Sequence, residues 1–108
     1  MILRIWKVGL APGQASALER FAHDVSLPMF RAQSGCLAVF FTRSDTACVT
    51  VTVWESTQAV ERMEASERYQ SVVAAIEQTG ILCGHHQTDT FAVYGGAVDA
   101  ALAQHMAP

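Results

Sequence analysis

The longest purely apolar run in this 108-residue chain is six residues, Cys36 to Phe41, against the roughly twenty that a membrane-spanning helix needs. No membrane span is expected. Arg4 and Lys7 interrupt the apolar start before a signal-peptide core could form, so the chain is expected to stay in the cytoplasm. Positive charge is also scarce, with seven Lys and Arg against ten Asp and Glu and a net charge of −3. Because nucleic-acid binding needs clustered cations to displace condensed counterions, this balance argues against it. The three cysteines are odd in number and widely spaced, which does not suggest a disulfide framework. Cys83 with His85 and His86 offers zinc-ligand chemistry, but a structural site wants four ligands and no second pair stands at a usual spacing. No metal is expected. Seven Gly and three Pro are too few for a fibrous or disordered chain.

What is present is a folding composition, 51% hydrophobic. The length predicts one domain, residues 1–96, followed by a tail over 97–108 that is either mobile or a subunit-contacting arm. A domain of this size buries only roughly two-thirds of its unfolded surface, and much of its apolar content is small alanine. A partner subunit could supply the remainder.

Alternation along Ile2 to Leu10 predicts a strand with Leu3, Ile5 and Lys7 on one side and Arg4, Trp6 and Val8 on the other. After the Pro12-Gly13 turn, Leu18, Phe21, Ala22, Val25 and Met29 form one helical stripe. Pro28 is expected to push Leu27 out of helical angles and break or kink that helix, and Gly35 to end the segment. Cys36 to Arg43 and Ala47 to Trp54 read as a hairpin. In the first, Leu37, Val39 and Phe41 oppose Ala38 and Phe40; in the second, Val49, Val51 and Val53 oppose Thr50, Thr52 and Trp54. A helical region then follows Ser56 and Thr57, either of which could accept hydrogen bonds from the free N–H groups of its first turn. Its apolar phase reverses between Val60 and Tyr69, which predicts an interruption with a fresh start at Ser66. Gln87 to Tyr94 is the last expected strand.

The order β-α-β-β-α-β predicts an α+β, ferredoxin-like domain with a four-stranded antiparallel sheet and its helices on one face. Both faces of that sheet are apolar, a patch too large for a soluble monomer to expose. A homodimer with sheets packed face to face is the expected cover.

From Ile2 to Tyr94 the sequence resembles the antibiotic biosynthesis monooxygenase family of dimeric α/β barrels. The match is strongest over Thr52-Val53-Trp54-Glu55-Ser56-Thr57-Gln58-Ala59, with support from the Leu10-x-Pro12-Gly13 turn and from Pro28 to Gly35. The resemblance implies cofactor-independent oxygenases of polycyclic phenols, heme-degrading enzymes and members without assigned substrates. Of the residues near substrate in the quinone-forming oxygenases, Trp54 matches the family's Trp, whereas Thr50 replaces an Asn and Val60 a Tyr. The heme-degrading branch has Asn, Trp and a ligating His where this chain has Trp6, Met63 and Val73, so heme chemistry of that type is not expected.

The resemblance implies an apolar pocket per subunit between helices and sheet, taking a small or polycyclic aromatic ligand without a cofactor. Trp54 would wall it, Thr50 and Thr52 would orient it, and Trp6, Phe21, Met63 and Tyr69 would line it. Arg4, facing the covered side of the sheet, needs an anion or acceptor to offset its desolvation. That partner is a ligand phenolate or acid, or a carboxylate such as Glu55 or Asp89. Of His85 and His86, which alternation sends to opposite faces, one could reach the pocket mouth; His86 is the candidate base. Glu55, Glu61, Glu64, Arg62 and Arg20 are expected on a solvated face. The other readings are a non-catalytic ligand-binding or interaction module of the same fold, and a heme-binding protein using His85 or His86.

Overall fold

A computed structural model describes residues 1–106. Strand β1 (Ile2–Leu10) leads into helix α1 (Ala15–Phe21), a π-helical turn (Ala22–Ser26) and helix α2 (Leu27–Arg31). The hairpin β2 (Cys36–Arg43) and β3 (Ala47–Trp54) follows, then α3 (Thr57–Ala65), α4 (Glu67–Glu77), β4 (Leu82–Ala92) and a short α5 (Leu102–Met106). The four strands form one antiparallel sheet in the order β2-β3-β1-β4, the ferredoxin-like arrangement.

The alternation in β1 and β3 sorts the faces as expected. Arg4, Trp6, Val8, Cys48, Thr50, Thr52 and Trp54 are buried beneath the helices, while Ile5, Val49, Val51 and Val53 on the other face are only partly covered. Register keeps each set together, with Thr50 opposite Trp6, Thr52 opposite Arg4 and Val51 opposite Ile5. In β2 the alternation fails at one point. Leu37 is the extra residue of a bulge between the rungs of Cys36 and Ala38 and is 53% exposed, so it does not share the environment of Val39 and Phe41.

Two helical expectations are corrected. Leu27 keeps helical angles and the helix runs through Pro28, because the turn before it has widened. The N–H of Leu27 reaches back five residues to the carbonyl of Ala22, and this π turn moves the preceding carbonyls away from the proline ring. It also rotates the stripe, leaving Val25 37% exposed and bringing Phe30 into the core beside Met29. The break at Ser66 is as expected. Its extended backbone separates α3 from α4 while its hydroxyl accepts from the N–H of Tyr69, as Ser56 does from Ala59 at the start of α3.

Gly35, at φ +84°, closes the first helical segment, and a Cβ there would stand 2.7 Å from Cβ of Ala59. Only glycine lets α3 sit that close. Strand β4 starts at Leu82, five residues before the expected Gln87. Its polar Cys-Gly-His-His opening pairs with β1 across a register shift between Lys7 and Gly9, with Gly84 at φ +80°. In the tail, α5 is exposed, and the last two residues of the expected 97–108 segment lie outside the described residues. No helix among the described residues is long and apolar enough to cross a membrane.

Candidate functional site

The covered face of the sheet carries two separate apolar clusters. Trp6, Val8, Leu10, Leu18, Cys48, Ile76 and Ile81 form one, and Met29, Phe30, Trp54, Ala59, Val60 and Met63 the other. Between them lies a cleft of about 110 Å³. Its floor is Arg4 and Trp6 of β1, Cys48 and Thr50 of β3, and Phe41 and Arg43 of β2; α1, the π turn, α2 and α4 roof it with Leu18, Phe21, Ala22, Phe30, Tyr69 and Ile76. The widened turn lines the cleft through Ala22 and Ser26. A cavity of about 150 Å³ accepts benzene, so a ring seated in this smaller cleft is only partly enclosed and the rest of a ligand extends through the mouth.

Arg4 is the polar centre of this cleft. Its Nε donates to Oε2 of Glu64 at 3.1 Å and its Nη2 to the hydroxyl of Tyr69 at 2.9 Å, with the guanidinium 5.4 Å from the Tyr69 ring centroid. The arginine side chain is 3% exposed and that of Glu64 is 41% exposed. The partner is therefore neither Glu55 nor Asp89. Asp89 stands opposite Ile5 on the other face of the sheet. Glu64, expected on a solvated face, instead reaches inward from α3, four residues after the buried Val60. Accepting from Arg4 leaves the Tyr69 hydroxyl proton free to donate to a group in the cleft.

The expected residues divide on this geometry. Arg4, Trp6, Phe21, Thr50 and Tyr69 line the cleft together. Trp54, Thr52 and Met63 do not. Trp54 is fully buried in the second cluster, its indole Nε1 donating to Oγ1 of Thr52 at 2.7 Å, and Phe30 meets it edge-on. The wall expected of Trp54 is thus a core contact, and the Thr52 hydroxyl is turned to the indole instead of a ligand. Met63, with no exposed surface, packs in the same cluster. Val60, which takes the place of the family's tyrosine, lies there too.

His86 is not at the mouth of this cleft. It stacks at a tilt on Trp6, centroids 5.7 Å apart, and its Nδ1 is 4.0 Å from Oε1 of Glu77. His85 and His86 both border a second, polar hollow on the far side of Trp6. The pairing of this stretch with β1 is irregular around Gly84. No group of three or more His, Cys, Asp or Glu side chains that could hold a metal occurs among the described residues.

Three features of the cleft escaped the sequence reading. Cys48 shares the Thr50 face by simple alternation, and burial pushes its thiol above the usual range, opposed by a side-chain hydrogen bond with Thr50. As a neutral thiol it is a poor nucleophile. Trp6 Nε1 is enclosed without a hydrogen-bond partner, the one buried side-chain polar atom so left among the described residues. At the rim, Nε of Arg43 donates to Oε2 of Glu19 at 2.9 Å, joining the end of β2 to α1. The step Val39, Phe41, Arg43 already carried the signal that Arg43 faces the helices.

Solved structures with this architecture include a monooxygenase from the gene ActVA-Orf6 of Streptomyces coelicolor in complex with nanaomycin D. It is 20% identical, with 92% of each chain covered and a TM-score of 0.77. SnoaB, a cofactor-independent oxygenase from Streptomyces nogalater, is 16% identical at a TM-score of 0.70, covering 91% of this chain and 97% of its own. Rv0793 from Mycobacterium tuberculosis is 20% identical at 0.71, covering 90% of this chain and 98% of its own. At these identities the likeness is one of fold. No curated protein matches the chain by sequence. The family model for antibiotic biosynthesis monooxygenase matches residues 1–75, most of the length and every element from β1 into α4, and the chain belongs to that family.

Proposed function

We propose that this protein is a cofactor-independent monooxygenase acting on a small aromatic phenol held in the cleft between helices and sheet. The observation that carries this reading is the Arg4–Tyr69 corner, a buried cation and a free hydroxyl donor in an otherwise apolar enclosure. Such a corner favours an ionised phenol, since fixed donors in a dry site stabilise a localised negative charge far better than water-exposed ones. The phenolate is the electron source. It passes an electron to oxygen, and the substrate supplies every electron the reaction needs. For a phenol with an activated ring methylene, the methylene and one molecule of dioxygen give a ring carbonyl and one molecule of water. One oxygen atom becomes the new carbonyl and the other leaves as water with the two hydrogens of the methylene carbon. Phe21, Phe30, Phe41 and Trp6 keep bulk water from the anion. The two related oxygenases support the reaction class.

The test is incubation with an anthrone-type phenol under isotopically heavy dioxygen, followed by mass spectrometry. One labelled oxygen should enter the product in place of two hydrogens, with hemin added in parallel giving no Soret shift. If a broad panel of phenols binds and none gains oxygen, the protein is a ligand-binding module. The loss of the family's Asn and Tyr at Thr50 and Val60 favours that second reading.

The working unit in this proposal is a cytoplasmic homodimer. Ile5, Phe40, Val51 and Val53 on the uncovered sheet face, with Phe91 more than half exposed beside them, are a surface that a second copy would shelter. Sedimentation should report twice the 11.7 kDa chain mass down to high dilution. A stable single-chain particle would remove the dimer.

A further inference from the structure

The cleft is lined by two arginines, and they are held very differently. Arg4 is 2% exposed and is engaged twice, by Glu64 and by Tyr69. Arg43 makes one hydrogen bond, through Nε to Glu19, and no acceptor among the described residues meets its terminal Nη groups. Its side chain is 34% exposed and lines the cleft, whereas its partner Glu19 is 61% exposed on α1. An ion pair with so exposed a carboxylate contributes only about 0–1 kcal/mol, because water replaces the arginine readily. Glu19 is therefore an exchangeable partner, and Glu64 is not. A guanidinium with a free fork at the rim of an apolar cleft is suited to a planar carboxylate, which it grips with two parallel N–H donors.

Resting on the phenol reading of the cleft, we propose that the substrate is an aromatic acid whose carboxylate displaces Glu19 from Arg43 while its phenol oxygen sits at the Arg4–Tyr69 corner. Register sets its length. Arg4 lies opposite Thr52 and Arg43 opposite Cys48, four residues apart on β3 or about 13 Å along the strand. Arg4 on β1 and Arg43 on β2 also stand on either side of β3, two strand spacings or about 9.6 Å apart, so the ligand that touches both is longer than one ring. The phenol ring enters the cleft and the acid-bearing portion runs out through the mouth, where α1 and the end of β2 meet. Exchange of one carboxylate for another at Arg43 keeps the charge there balanced. The gain is the terminal fork, unused in the pair with Glu19.

Fluorescence titration with 6-hydroxy-2-naphthoate and its neutral carboxamide tests this in the full-length protein. The naphthoate should bind about tenfold more tightly than the amide, the value of one charge-assisted hydrogen bond at a partly exposed site. Arg43→Gln should abolish that preference, weakening naphthoate binding about tenfold more than amide binding. Glu19→Gln should increase it, because the competing carboxylate is gone. Thermal melts on each variant check that the rim substitutions leave the fold intact. Equal binding of the two probes by the natural protein, or a preference that survives Arg43→Gln, overturns the inference while leaving the phenol site standing. Failure of both probes to bind removes the phenol reading and this inference with it.

Discussion

Trp54→Ala should destabilise the protein by about 3–5 kcal/mol, the usual cost of deleting a large aromatic from a packed core. Three observations place it at the upper end. The side chain has no exposed surface, its indole N–H is satisfied by Thr52 at 2.7 Å, and Phe30 packs against it edge-on. Removing the ring opens a cavity in the second cluster and leaves the Thr52 hydroxyl enclosed with a weakened network. Trp54→Phe keeps most of the volume and isolates the second effect, at about 1–3 kcal/mol. The other tryptophan makes the contrast. Trp6→Phe also loses volume, but it removes a donor that has no partner, so the two effects oppose each other and the net change should stay within about 1 kcal/mol. Urea unfolding of the three variants decides the matter. A Trp6→Phe loss as large as that of Trp54→Phe would mean that the Trp6 donor is satisfied in solution.

Arg4→Met should separate stability from turnover. Methionine fills the arginine's path along the sheet with an apolar chain, and replacing a buried ion pair by a well-packed hydrophobe is often neutral. Glu64 is left behind, but at 41% exposure it can turn to water. Unfolding free energy is expected to move by about 1 kcal/mol. Oxygenation of a phenol should fall much further, about 100- to 1000-fold in kcat/KM, the range seen when one preorganised donor to a developing anion is lost. The direct loss is the guanidinium charge beside the phenolate. The indirect loss is the hydrogen bond that holds the Tyr69 hydroxyl in place. Tyr69→Phe should give a smaller fall. Should Arg4→Met unfold the protein and leave any residual turnover per folded molecule unchanged, Arg4 would be a structural ion pair only.

The break between α3 and α4 was legible because it is written in local terms. An apolar stripe that reverses phase between Val60 and Tyr69 cannot belong to one helix, and Ser66 is the residue that can cap a new one. The π turn was not legible. Its only sequence trace is Pro28, which argues equally for a kink or a stop, and the widened turn is selected by how α1 and α2 pack on the sheet. The start of β4 was missed because Cys83 to His86 shows neither alternation nor β-branched enrichment. Pairing with the exposed edge of β1 overrode that weak propensity.

The same division runs through the site. Alternation placed Arg4, Trp6, Thr50, Thr52 and Trp54 on one face, and that assignment rests on the period of the strand alone. Whether a residue on that face meets a ligand or a neighbouring side chain depends on what stands above it. Glu64 reaches Arg4 across sixty residues of sequence, and the helices close over Trp54 but part over Thr50. The chain by itself therefore determined the order of elements, the two-faced sheet and the break at Ser66, all consequences of short-range periodicity and capping. The tertiary structure alone decided which buried groups became core and which became cleft, because that choice is made by side-chain reach between segments far apart in sequence.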